Sequence, residues 1–282
     1  MRPRQWSKNI FIFAAIVFDK QLLNPNAFLR TLAGFVLFCF ISSSVYIFND
    51  LADVEADRQH PEKKNRPIAS GKLSVSAAWV SGIILVIGTL GLAYYFLPHG
   101  FDAILLTYFT LNMAYSKWLK HVPIIDVFII AAGFVLRVGA GVTLIQVERF
   151  SPWLYVVMTL LSLFLGFGKR RAELALLMDG AGSHRKVLDG YTLPLLDQYI
   201  MIVSGTTVVA YSLYTFSAPN VPENHSMMLT IPFVVYMIFR YLYLIEVKHA
   251  GGAPEEILLS DRPFQIAMVL WGLAVLAIFY LS

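Results

Sequence analysis

Asn49, Asp50, Asp53 and Asp57 follow directly on an apolar stretch long enough to cross a membrane. On a helix continued past Asn49, at about 100° per residue, all four side chains share one face, and Glu55 lies on the other, open to water. Three carboxylates on one face repel one another, so something positive must offset them. Their hard oxygens suit Mg2+, which keeps several waters and is shared with substrate phosphates. Just downstream, HPEKKNRPIASGK carries Lys63, Lys64, Arg66 and Lys72 on a proline-stiffened segment that ends in Gly71. Carboxylates for a metal beside cations for phosphates suit a Mg2+–diphosphate. The plain alternative is a solvated acidic helix end paired with nearby lysines. His60, before Pro61, fits a turn as well as catalysis.

Other polar residues stand out against apolar surroundings. Lys8 and Asn9, in RQWSKN, sit at the lip of the first apolar run; an interfacial anchor with Trp6 and a lipid-phosphate contact are equally open. Arg137 lies deep in an apolar stretch, where an arginine costs on the order of a few kcal/mol or more unless paired or hydrated. Asp126 is three turns earlier on the same stripe. The two are too far apart to touch, so both are expected to face an interior cavity, with an ion pair to another helix as the alternative for either. Arg240 is nearer a helix end and can snorkel. Gly133, Gly139 and Gly141 suit close helix packing. The single cysteine, Cys39, excludes an intrachain disulfide and a thiolate zinc site.

These residues must be held by helices in a membrane. The chain has 282 residues, of which 57% are hydrophobic and 14% charged, whereas a soluble domain is nearer a quarter charged. Its apolar runs are continuous rather than alternating, which favours helices over a barrel. Nine spans are expected, at 8–23, 28–48, 75–97, 101–118, 122–145, 152–168, 194–217, 227–246 and 263–281, within one polytopic membrane domain covering 1–282. The first is short, and is expected to be a retained helix rather than a cleaved signal. LPHG at 97–100, SAPNVPENH at 217–225 and AGGAP at 250–254 read as loops. Of the 22 Lys and Arg, only Lys20, Arg30 and Arg149 fall in the loops of one side, and Arg137 and Arg240 fall within spans. The positive-inside bias therefore puts the N-terminus and the long loops 49–74 and 169–193 in the cytoplasm and the C-terminus outside.

NDLADVEAD resembles the first aspartate-rich motif, N-D-x-x-D-x-x-x-D, of the UbiA-type membrane prenyltransferase superfamily. RPRQWSKN (2–9), the extended 49–71 segment and YSKWLKHVPIIDVFIIAAGFVLRVGAG (115–141) resemble its polyprenyl-phosphate phosphoribosyltransferase branch. The resemblance covers essentially the whole chain. It implies an all-α, nine-helix UbiA-type bundle in the plasma membrane, with cytoplasmic active-site loops. Asn49, Asp50, Asp53 and Asp57 would then bind Mg2+ and a diphosphate, Lys120 a phosphate, and Tyr191, in DGYTLPLLDQ, would line a sugar site.

The chain departs from the aromatic prenyltransferases of that superfamily after the sixth span. GFGKRRAELALLMDG (166–180) stands where they carry a second aspartate motif, and Asp179 and Asp189 are too far apart to replace it. Lys169 and Arg170 flank Glu173 on one helical face, while Arg171 points away. As a structural flank this is an i,i+4 pair at a cytoplasmic helix end. Functionally, the cations suit a phosphate monoester and Glu173 could receive ribose hydroxyls. The expected reaction is Mg2+-dependent transfer of a 5-phosphoribosyl group from 5-phosphoribosyl 1-diphosphate (PRPP) to a decaprenyl-type phosphate, toward cell-wall arabinan precursors. The alternatives are prenyl transfer from a prenyl diphosphate to an aromatic, glycerol-type or other acceptor and, more remotely, a transporter or ion channel. Membrane lipids and a homo-oligomer are compatible partners; nucleic acid is not expected.

Overall fold

The computed structural model describes residues 3–59, 63–145, 151–178, 186–248, 257 and 260–281. Expectations at His60, Arg149, Asp179 and 250–254 fall outside them. Among the described residues there are helices and no strand. A 3-10 helix, Pro3–Phe13, runs into α1, Ala14–Phe18. Then come α2 (Pro25–Ala52), α3 (Val54–Gln59), α4 (Val75–Phe96), α5 (His99–Lys117) and α6 (Ile125–Leu144). The series ends with α7 (Pro152–Met178), α8 (Leu193–Ser217), α9 (Ile231–Glu246) and α10 (Arg262–Tyr280).

Seven described helical segments are long and apolar enough to span a membrane: α2, α4, α6, α7, α8, Ser226–Glu246 and α10. Two of the nine predicted spans are thus corrected. The fourth is α5, whose 19 residues include Asp102, Asn112 and Lys117 and which is not among the seven. The first is not one α-helix. Its 11-residue 3-10 portion rises about 2.0 Å per residue rather than 1.5, so a segment short in residues covers more depth. α7 is longer than expected, running ten residues past 168 and carrying Lys169–Glu173 as helix.

The chain divides into two compact units. Met1–Ile16, Gln21–Leu119 and Leu136–Gln146 form the first. Its core packs Phe38, Ile41 and Val45 of α2 with Phe101 and Leu105 of α5 and Ala140 and Leu144 of α6. The 3-10 helix is tied to α2 by polar handles: Trp6 Nε1 donates to Ser43 Oγ (3.0 Å), and Asn9 Nδ2 donates to Cys39 Sγ (3.2 Å) and Ser42 Oγ (3.3 Å). Trp6 therefore serves a protein contact as well as any interface. Gly141 of α6 lies so close to the Ile12 carbonyl that an added Cβ would overlap it.

Val17–Lys20, Lys120–Val135 and Val147–Ser282 form the second unit. Val127 and Ala131 of α6, Phe164 and Phe167 of α7, Leu196 and Ile200 of α8, and Tyr241 and Ile245 of α9 make its core. Arg171 of α7 joins Asp197 of α8 (2.5 Å) and Glu246 of α9 (2.7 Å). Arg240 joins Asp261 (2.8 Å), which also caps α10 by accepting from the Phe264 N–H. Those hydrogen bonds from Arg240 hold the Asp261 carboxyl below its ordinary range.

Gly141→Leu should drive the 3-10 helix off α6. Overpacking of this kind costs about 1–3 kcal/mol, read as a lower melting temperature in detergent; a variant that melts with the wild type contradicts the contact.

Candidate active site

In the first unit, the last turn of α2 carries Asn49 and Asp50. Asp53 is its C-cap at φ −100°, ψ 11°, with its N–H bonded to the Asn49 carbonyl (3.0 Å). α3 starts afresh at Val54, and the Asp57 N–H bonds the Asp53 carbonyl (2.8 Å). The four residues therefore do not ride one uninterrupted helix, as the sequence alone suggests. Like charges at helical spacing repel, and a short aspartate competes with the backbone for its hydrogen bonds, so the helix ends among them.

The break lets the basic segment close back on the acids. Arg66 Nη1 lies 3.0 Å from Asp50 Oδ1 and 2.6 Å from Asp57 Oδ2. Asp57 is only 3% exposed, so this bridge supplies the charge it needs. Ile68 anchors the segment in a small core with Ile47, Leu51 and Ala78. Gly71, at φ +78°, makes the turn out of it, a conformation glycine adopts without strain. Lys63 and Lys64 are exposed in a 3-10 turn, Lys63–Asn65. Glu55 pairs with Arg58 (2.7 Å), both well exposed, and such a pair contributes little.

Among the described residues, no three His, Cys, Asp or Glu side chains gather closely enough to cage a metal ion alone. Magnesium does not require such a cage: it takes one or two carboxylates and completes its shell with water and substrate phosphate. The enclosed Asn49 Oδ1 has no hydrogen-bond partner. An acceptor stripped of water without replacement costs about 1–3 kcal/mol, and a hard cation or its bound water would satisfy it. The oxygen donors of Asn49, Asp50 and Asp53 therefore fit the group the sequence suggests.

In the same unit, Asn9 is fully buried and accepts from Arg137 Nε through Oδ1 (2.8 Å). Arg137 Nη2 donates to the Tyr108 hydroxyl (3.0 Å), and its guanidinium lies 4.9 Å from the Tyr108 ring centroid and 5.3 Å from that of Phe38. Arg137 is thus matched by an amide, a phenol and two ring faces. Lys8 beside it is half-buried. Tyr108 is the partner that sequence reasoning missed.

In the second unit, Asp126 is fully buried. Its Oδ2 accepts from Arg170 Nε (2.6 Å) and its Oδ1 from the Tyr191 hydroxyl (2.7 Å). Arg170 Nη1 in turn donates to Glu173 Oε2 (2.6 Å). Asp126 therefore belongs to a side-chain network in which both of its oxygens are matched. Burial drives the Tyr191 phenol well above its ordinary pKa, with Asp126 adding to the rise against the Ile124 N–H, so it remains a neutral donor. Lys169 is half-buried, with no ion-pair partner among the described residues. Lys120 is half-buried in the turn Leu119–His121. An apolar groove of about 250 Å³, lined by Ile124, Phe128, Leu163, Phe167, Tyr199, Ile202 and Val203, lies beside this network.

The UbiA prenyltransferase family profile matches residues 9–260. The decaprenyl-phosphate phosphoribosyltransferase of Corynebacterium glutamicum is 32% identical across 100% of this chain and 86% of its own length. The enzyme of the same name from Mycolicibacterium smegmatis is 34% identical across 100% of this chain and 92% of its own. A UbiA homolog from Archaeoglobus fulgidus, solved bound to DMAPP and Mg2+, matches with a TM-score of 0.74 and 19% identity, covering 100% of this chain and 98% of that one.

Arg66→Ala should leave Asp57 buried without its cation. The loss is about 2–3 kcal/mol, below the fully buried case because Arg66 is partly exposed. Adding Asp57→Asn should restore much of it in a double-mutant cycle of unfolding free energies; strict additivity contradicts the bridge.

Proposed function

The chain belongs to the UbiA prenyltransferase family and is a transferase, and from this we propose that it transfers a 5-phosphoribosyl group from PRPP to a decaprenyl-type polyprenyl phosphate. Two features together carry the reading. The relatives of that name align over the full chain, and α7 bears Lys169, Arg170 and Glu173 where a second metal–diphosphate clamp would need aspartates.

In this reading the PRPP diphosphate binds at the end of α2. Mg2+, when held there by Asn49, Asp50, Asp53 and Asp57, supplies charge stabilisation for the leaving diphosphate. Lys63 and Arg66 steady the diphosphate oxygens. Lys8, Lys120 and Lys169 serve the phosphate monoesters, Glu173 meets the ribose while Tyr191 holds the network behind it, and Arg137 fixes Asn9 beside Lys8. An oxygen of the lipid phosphate forms the new bond to ribose C1 as the bond from C1 to the diphosphate oxygen breaks. The leaving group takes that electron pair. A phosphate already ionised at neutral pH needs no strong general base. The lipid explains why a sugar transfer is housed in a multi-pass membrane protein. We place it in the plasma membrane with the N-terminus and site cytoplasmic and the C-terminus outside, and a homo-oligomer is compatible with it. The structural match to a UbiA homolog solved with DMAPP and Mg2+ favours prenyl transfer from a prenyl diphosphate as the second reading.

Purified protein given Mg2+, labelled PRPP and polyprenyl phosphate should move label into the organic phase. A parallel reaction with a prenyl diphosphate and 4-hydroxybenzoate should give no product; product only there overturns the reading. Excess chelator should stop transfer reversibly. Asp53→Asn should abolish it without loss of folded protein, and full activity in that variant contradicts the metal role.

A further inference from the structure

The network around Asp126 holds more charge than helix packing needs. Of the four side chains described in it, three are closed off: Asp126 is 0% exposed, Arg170 1% and Tyr191 5%. The Glu173 side chain is 21% exposed, which makes it the one member a ligand can reach. We propose that Asp126 and Arg170 are positioning residues that set the Glu173 carboxylate as an acceptor for a sugar hydroxyl, so that the site selects a ribosyl over a 2-deoxyribosyl donor. This inference rests on the phosphoribosyl reading above.

Charge and geometry carry it. Asp126 and Glu173 share the Arg170 guanidinium, and a carboxylate held in this way accepts well from a neutral O–H donor. The planar guanidinium spends Nε on Asp126 and Nη1 on Glu173, each at 2.6 Å, so its rigid fork fixes one carboxylate relative to the other. Asp126 is itself held by the Tyr191 hydroxyl, which accepts from the Ile124 N–H (2.5 Å). Ile124 stands at φ +70°, a strained conformation for a β-branched residue, kept only where its surroundings dictate it. Gly190, next to Tyr191, meets Pro123 so closely that no Cβ fits between them. The start of α6, α7 and the 186–191 turn thus converge on the placement of one partly exposed carboxylate. A structural Asp126–Arg170 pair would be complete without Glu173. A site that hydrogen-bonds a substrate hydroxyl discriminates against the analogue lacking it, because its acceptor is then left unpaired.

The test measures kcat and KM for PRPP and for its 2-deoxy analogue, using full-length protein with Mg2+ and polyprenyl phosphate. Wild type should prefer PRPP by about 10- to 100-fold in kcat/KM, the range for one charged hydrogen bond. Glu173→Ala should lose most of that preference. Asp126→Asn and Arg170→Lys should narrow the ratio and raise the PRPP KM more than they lower kcat. A purely structural role would lower the amount of folded protein and leave the ratio where it was. Should those two variants not fold, Tyr191→Phe keeps every charge, removes only the hydroxyl that holds Asp126, and should narrow the ratio too. Wild type using both donors equally, or folded variants retaining the wild-type ratio, overturns the inference while leaving phosphoribosyl transfer intact. Wild type giving no product from PRPP removes the underlying reading as well.

Discussion

A guanidinium or carboxylate inside an apolar helical protein must be matched where it stands, because neither lipid nor packed side chains will solvate it. Three arginines meet that constraint in different ways. Arg66 bridges Asp50 and Asp57 at the end of α2. Arg170 bridges Asp126 and Glu173. Arg137 lies among Asn9, Tyr108 and two ring faces. In each case the match fixes a polar group in one place, and a group fixed beforehand needs no reorganisation when charge develops beside it.

Helix geometry follows from the same constraint. The helix ends at Asp53, so the basic segment can return Arg66 onto the acids instead of leaving them stacked on one solvated face. α7 instead continues past its apolar portion, so Lys169 and Glu173 are carried on a rigid element rather than on a loop. The two helix ends thus present different chemistry: broken backbone and oxygen donors at one, regular helix with a clamped carboxylate at the other.

Much of this was legible in the sequence. Apolar runs of membrane length gave the helical class, and NDLADVEAD gave the acidic centre. The break at Asp53 was not, because a 100° wheel assumes the helix it is meant to test. The 3-10 start was hidden for a similar reason: its apolar residues look alike in either helix type. Asp126 and Arg137 share a stripe of α6, which suggested one cavity. Their partners are set by residues far away in the chain, Arg170 and Tyr191 for one and Asn9 and Tyr108 for the other. No spacing within α6 records those contacts. The exchange of acids for bases after the sixth span was readable, but not that Arg170 would be buried between two carboxylates.

The most direct test of the acidic centre is a structure of the protein with PRPP and Mn2+, using anomalous scattering to locate the ion. A peak within ligating distance of Asn49 Oδ1, Asp50 and Asp53, touching the diphosphate, is expected. Bound PRPP with its diphosphate elsewhere, or no ion beside those oxygens, contradicts the assignment of this end of α2 as the site where pyrophosphate departs.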